Sequence, residues 1–271
     1  MRAVPGVTLV ELQVAVVVGA ILVAAAYTSL LSVRRVVDGA LRRGEAHRVG
    51  DETIAVLEAV GPHLRYPAVL GDTALLGELR IGAGTLCRQT ATTIALAPAL
   101  TGSAEALTFL AETPIVGDRL EVFGGEATGE VGWRTHQVTA VALVTAHEGC
   151  GADGGADGSA VAAADRGRQV LRLSVDTPPG AITAGAPVEL YRAVRLVLYH
   201  AGAQGWTVGF RSCPALRCGS AQPIVGPVRS PSDHGLRFRM DPAAPIVRAE
   251  VRVPGSAHRF EGVLHAHASG R

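Results

Sequence analysis

Between Leu12 and Val33 the chain runs for 22 residues without a charged side chain (LQVAVVVGAILVAAAYTSLLSV). As an α-helix rising 1.5 Å per residue, this run is roughly 33 Å long, against a hydrocarbon core of about 30 Å. It is therefore long enough to span a bilayer. Only Met1 to Glu11 precede it, and Arg34, Arg35, Arg42 and Arg43 mark the return to polar surroundings. The remainder of the 271 residues is long enough for one or two domains with a sizeable core, and too apolar for disorder. All 25 basic residues are arginine, and the chain has neither lysine nor asparagine. Those absences exclude a Walker-type phosphate loop, a Schiff-base lysine and an N-glycosylation sequon. Both missing residues have A-rich codons, so a GC-rich genome accounts for them. A net charge of +1 argues against a nucleic-acid-binding domain, which carries a strong basic excess.

Three readings of the apolar run compete. A secretory signal peptide would be cut after Ala24-Ala25-Ala26, but Glu11 at the mouth of the run makes a poor signal-peptide head. A plain uncleaved anchor leaves Glu11 unexplained, since an ionised carboxylate at membrane depth is costly without a partner. The third reading accounts for every residue. Gly6-Val7-Thr8-Leu9-Val10-Glu11-Leu12, followed by the apolar run, resembles the amino-terminal signature of type IV pilins and of the pseudopilins of type II secretion.

The resemblance implies a leader, residues 1–6, cut by prepilin peptidase after Gly6, with methylation of the new terminal amine on Val7. Glu11 is then the fifth residue of the mature chain, as in that family. A positive amine and a negative carboxylate at the cytoplasmic edge of apolar helices neutralise one another between neighbouring subunits. The implied partners are other pilin or pseudopilin subunits, the peptidase and methyltransferase, and an inner-membrane assembly platform. The implied location is the bacterial inner membrane with a periplasmic domain, followed by a pilus or pseudopilus. The sequence departs from the family in having Val7 where phenylalanine or methionine is usual, and Pro5 before the cut. The arginines after the run also oppose the positive-inside rule.

Residues 7–33 are thus expected to form a transmembrane and assembly helix, and residues 34–66 its amphipathic continuation. In the continuation Val33, Val36, Val37, Ala40 and Leu41, then Ile54, Leu57, Val60 and Leu64, fall at helical spacing. Gly39, Gly44 and Gly50 weaken the helix and leave open a flexible joint before a separate short helix. Pro62 and Pro67 end the pattern. From 67 to 271 the period changes to alternation between turn residues, with strands expected at 77–81, 92–96, 106–111, 119–123, 135–145, 169–175, 188–200, 207–211, 236–240 and 247–253. Leu236, Phe238 and Met240 alternate with Arg237 and Arg239, and Val247 to Val253 repeat the pattern, which predicts antiparallel sheet covered on one face. The expected fold is α+β, a long N-terminal helix packed on a mostly antiparallel β-sheet domain. The order of these segments, from Ile115–Phe123 through Gly185–Leu190 to Gln222-Pro223-Ile224-Val225, resembles the large minor pilins and minor pseudopilins of the J/W type. Size favours such a tip or initiating subunit over a major pilin.

Cys87, Cys150, Cys213 and Cys218 make an even set in a domain expected outside the cytoplasm, where disulfides persist. Cys213–Cys218 is the first choice, which leaves Cys87–Cys150, although sequence does not decide among three connectivities. Zinc is the alternative, but the pair lacks a second of matching spacing. His265 and His267 read as a solvated carboxyl terminus. Asp153, Asp157 and Asp165 lie in a Gly/Ala-rich stretch, 149–167, which reads as a mobile loop, with calcium ligation as the alternative although the spacing fits no EF-hand. No metal, cofactor or catalytic residue is expected. The alternative reading is a membrane-anchored periplasmic enzyme or ligand-binding domain that does not join a fibre.

Overall fold

A computed structural model describes residues 9–97, 108–125, 131–150, 167–180, 182–241, 244 and 246–266; the side chains of residues 9–17, 20, 21, 125 and 216 are not described. The fold is α+β. Helix α1, Leu9–Val60, passes through Gly39, Gly44 and Gly50 without a joint. It stops at Val60, earlier than expected, because Pro62 sits in a 3-10 turn at Gly61–His63 and Leu64 is already extended. Leu64 therefore belongs to a strand and not to the helix.

The strands are β1 Leu64–Leu70, β2 Ala74–Thr90, β3 Thr93–Leu96, β4 Phe109–Leu110, β5 Arg119–Gly125, β6 Val131–Thr145, β7 Gln169–Val175, β8 Pro187–His200, β9 Trp206–Ser212, β10 Gln222–Val228, β11 Leu236–Met240, β12 Ile246–Arg252 and β13 Arg259–His265. A short helix α2, Ala146–Cys150, follows β6. Every pairing among the described residues is antiparallel. The long strands β2 and β8 pair with each other from Ala74–Val197 to Thr85–Pro187 and serve two structures at once. The first half of β2 pairs with β1, and the second half of β8 with β9 and then β10, giving an open sheet β1-β2-β8-β9-β10. Their other halves close a ring: β2 to β3, β3 to β7, β7 to β6, β6 to β5, and β5 back to β8. The ring is a six-stranded barrel, bulged at Ile81 and near Cys87, where the extra residue bends the strand toward closure. Its interior is filled by Ile81, Leu86, Ile94, Leu96, Leu120, Leu173 and Leu190, all 2% exposed or less.

A second core joins three layers. Ala46, Val49 and Leu57 of α1 pack with Leu75, Leu196 and Val208 of the open sheet, and with Phe238, Val247, Val251 and Leu264 of a separate sheet β11-β12-β13. The expected alternation places Val247, Ala249 and Val251 inside and Arg248 outside, whereas Met240 at a strand end is exposed. Strands β1, β10 and β13 were not expected. His265 is the last residue of β13 and not part of a frayed tail; His267 lies outside the described residues.

The docked face of α1 is Ala46, Val49, Gly50, Thr53 and Leu57, one stripe at helical spacing. Gly50 has no room for more: a Cβ there would lie 2.4 Å from the ring of Phe260. Opposite it Gly262 is equally crowded, by Ile54 and Glu58. A glycine that weakens the helix thus permits its close approach to β13. At Gly44, by contrast, a Cβ would have nothing within 4 Å. Gly50→Leu is expected to destabilise the protein by about 1–3 kcal/mol through overpacking, whereas Gly44→Ala is expected to stabilise the helix by roughly 0.5–1 kcal/mol. Melting temperatures of the two variants check this, and similar values for both would refute it.

Candidate functional site

The docked stripe begins only at Ala46. Before it, Leu22, Val23, Tyr27, Leu30, Val33, Val36, Val37 and Leu41 are between 48% and 70% exposed. The apolar positions Val33 to Leu41 were expected to pack on the domain, and they do not. At about 100° per residue their stripe is turned by roughly 150° from the docked one, so α1 cannot bury both against one domain. From Leu22 to Glu45 every residue of α1 except Leu31 and Gly39 is exposed, so this length of the helix is not covered by the globular part. Gly6 and Val7 lie outside the described residues; Glu11 falls in the first turn of α1, and its side chain is likewise outside them. Among the described residues no helix is long and apolar enough to cross a membrane, and the first half of the charge-free run lies outside the described side chains.

The outer face of the β-domain carries an ion-pair network that sequence reasoning missed. Arg65 on β1 is 2.8 Å from Glu121 on β5 and 3.9 Å from Glu189 on β8. Arg80 is 3.0 Å from Glu189, while Arg119 bridges Glu78 at 2.9 Å and Glu121 at 2.6 Å. The Arg65 guanidinium lies 4.5 Å from the centre of the Tyr191 ring, and that of Arg119 lies 4.8 Å from the ring of Tyr66. Tyr66 reaches this position through a left-handed backbone, φ 48°. Burial, then its hydrogen bond to Glu189, pushes the Tyr191 hydroxyl up; burial, aided by nearby Glu121, also raises the Glu78 carboxyl. Burial opposes the charge on Arg65, but the hydrogen bond from Arg65 to Glu121 and the surrounding acidic groups raise its pKa above the ordinary arginine value. Three arginines and three glutamates thus pair with one another, with Arg119 Nε and Glu78 Oε2 buried without a hydrogen bond. The only signals in sequence were alternating charges in apolar strands, Arg119-Leu120-Glu121 and Glu189-Leu190-Tyr191.

A second pair is deeper. Arg192 donates from Nε to Asp118 Oδ1 at 2.9 Å and from Nη2 to Oδ2 at 2.7 Å, with side chains 7% and 0% exposed. The same guanidinium reaches the Thr113 carbonyl at 2.9 Å and Glu112, and Asp118 Oδ2 also accepts from Ile115 N. Arg192 therefore pins residues 112–118 onto β8. Beside them lies the loop closed by Cys213–Cys218, where Ala215 N donates to the Gly117 carbonyl. The other disulfide, Cys87–Cys150, joins β2 to α2 across one end of the barrel. His136 is buried and bonds Thr177 through Nδ1; burial lowers its pKa, keeping the ring neutral at neutral pH.

Among the described residues no group of three or more His, Cys, Asp and Glu could hold a metal ion. Asp153, Asp157 and Asp165 lie outside them. No family model, curated protein or solved structure matches the chain.

Proposed function

We propose that the chain is a minor pilin or minor pseudopilin. On this reading it is a structural subunit, not an enzyme, cut by prepilin peptidase after Gly6 and methylated on Val7. Its helix holds it in the inner membrane with the β-domain in the periplasm. An assembly platform then extracts it into a type IV pilus or type II secretion pseudopilus, at or near the tip.

The observation that carries this reading is the undocked length of α1. Fully burying a Val or Leu side chain contributes about 1.5–3 kcal/mol, and several such side chains stand exposed ahead of Ala46. A helix of that kind is stable in a bilayer or among other helices, and its own domain leaves it uncovered. The motif Gly6 to Glu11 supports the same reading, since a carboxylate at the head of an apolar helix is tolerated when a neighbour's amine neutralises it.

Intact mass of the membrane-extracted protein is expected to correspond to a chain beginning at methylated Val7. A retained Met1, or a cut near Ala26, would overturn the proposal. Glu11→Ala is expected to leave the protein in the membrane and to lower its incorporation into fibres by about tenfold or more. Incorporation at the wild-type level would sink the charge-pairing argument.

A further inference from the structure

The outer face of the sheet β11-β12-β13 carries five arginines against two glutamates; Arg237 is opposite Glu250, but three other pairs set like beside like. Arg239 is opposite Arg248, Arg252 opposite Arg259, and Glu250 opposite Glu261. Like charges directly across a ladder destabilise a sheet. Diagonal contacts relieve part of this, since Glu250 lies 3.8 Å from Arg239 and 3.6 Å from Arg259. Arg248 has no ion pair among the described residues. With Arg239 and Arg259, and with Glu250 and Glu261 beside them, it lines a hollow of about 330 Å³ in which arginines outnumber carboxylates three to two. A basic hollow retained at a cost to the sheet is suited to an anionic partner.

The same chain presents the complementary surface. On the docked half of α1, Glu45, Asp51, Glu52 and Glu58 are exposed, with Arg48 as the only arginine among them; Arg48 and Glu52 border a hollow against β10, and Glu58 reaches β13. Arg48 engages Glu45 at 2.7 Å and Glu52 at 3.0 Å, and Glu58 accepts from Val263 N. Asp51 is left without an ion pair among the described residues. The strip therefore stays acidic after its internal pairs are made.

We propose that the arginine face of one copy, centred on Arg239 and Arg248, binds the acidic strip of α1, centred on Asp51 and Glu52, on a second copy. The inference rests on the assembly reading and gives it a contact with a direction. Two different surfaces meet, so the contact can repeat head-to-tail along a filament. Charge-assisted bonds between arginine and carboxylate set both register and partner choice.

The test uses two differently tagged full-length copies expressed together and co-purified in mild detergent. Recovery is expected to fall about tenfold or more when both copies carry Arg239→Glu with Arg248→Glu, or both carry Asp51→Arg with Glu52→Arg. Pairing one chain of each kind is expected to restore it, and salt of about 0.5 M to weaken the wild-type pair. Arg248→Gln alone is expected to leave the melting temperature unchanged or raised, which a residue needed for folding would not do. Unchanged recovery in the reversed chains, or no rescue in the mixed pair, would overturn the proposal. So would wild-type copies that fail to co-purify but float with phosphatidylglycerol vesicles through Arg248, since the occupant would then be lipid. A chain cut after Gly6 but indifferent to these reversals sinks this inference alone; an uncut chain sinks the assembly reading.

Discussion

Replacing Asp118 with alanine is expected to destabilise the protein by about 3–5 kcal/mol, the cost of leaving one member of a buried ion pair uncompensated. For a domain of this size that corresponds to a melting temperature lower by roughly 6–20 °C. The magnitude follows from the position of the pair. Asp118 is fully buried, Arg192 nearly so, and the guanidinium has committed its Nε and Nη2 to the two carboxylate oxygens. Without Asp118, Arg192 keeps only the exposed Glu112 and the Thr113 carbonyl, and the turn at 115–118 loses its hydrogen bond to Ile115 N. Adding Arg192→Met is expected to recover part of the loss, because a buried charge without a partner costs more than a pair removed whole. Recovery should stay incomplete, since Ile115 N still lacks its acceptor. Thermal unfolding of both single variants and the double variant in detergent measures the coupling. A loss under about 1 kcal/mol for Asp118→Ala would place this pair among surface ion pairs.

Removing the Cys87–Cys150 disulfide by double alanine substitution is expected to cost about 4 kcal/mol, and removing Cys213–Cys218 about 2 kcal/mol, in the chain-entropy model. The difference arises from loop length, a separation of 63 residues against 5. The longer loop contains β3 to β6, four of the strands that run in or beside the barrel wall. Cys87 and Cys150 are also packed among Val144, Ala146 and Val170, so their loss loosens the barrel end as well as the unfolded chain. Comparing the two double variants by denaturant unfolding separates the contributions. Equal losses would show that loop entropy does not set the ranking.

The strands legible in sequence are those whose inward positions are uniformly apolar. Leu236, Phe238, Val247, Ala249 and Val251 alternate with arginine, and β11 and β12 lie where that pattern puts them. Strand β13 was hidden because Gly262 interrupts its apolar face at the point where α1 must approach. Strands β1 and β10 were hidden by Pro67, Pro223 and Pro227, which argue against a sheet interior. The barrel could not be foreseen from periodicity, which identifies β2 and β8 as strands but not that each changes neighbour midway. The motif from Gly6 to Glu11 needs only neighbouring residues and was legible as a resemblance. The Arg192–Asp118 pair was not, because its members are 74 residues apart and only the fold joins them.

The proline positions also bear on crowding. A sheet that leaves backbone groups open risks strand addition between copies. The ring of β2, β3, β7, β6, β5 and β8 has no such border. Of the open borders, β1 is interrupted by Pro67 and a register shift, and β10 by two prolines and two register shifts. β11 is tied down by Phe238 N on the Asp72 carbonyl and by Arg237 on Asp72, and Val263 of β13 by Glu58. Strand addition is thereby discouraged at these four margins, whereas α1 carries the longest exposed apolar run, from Leu22 to Leu41.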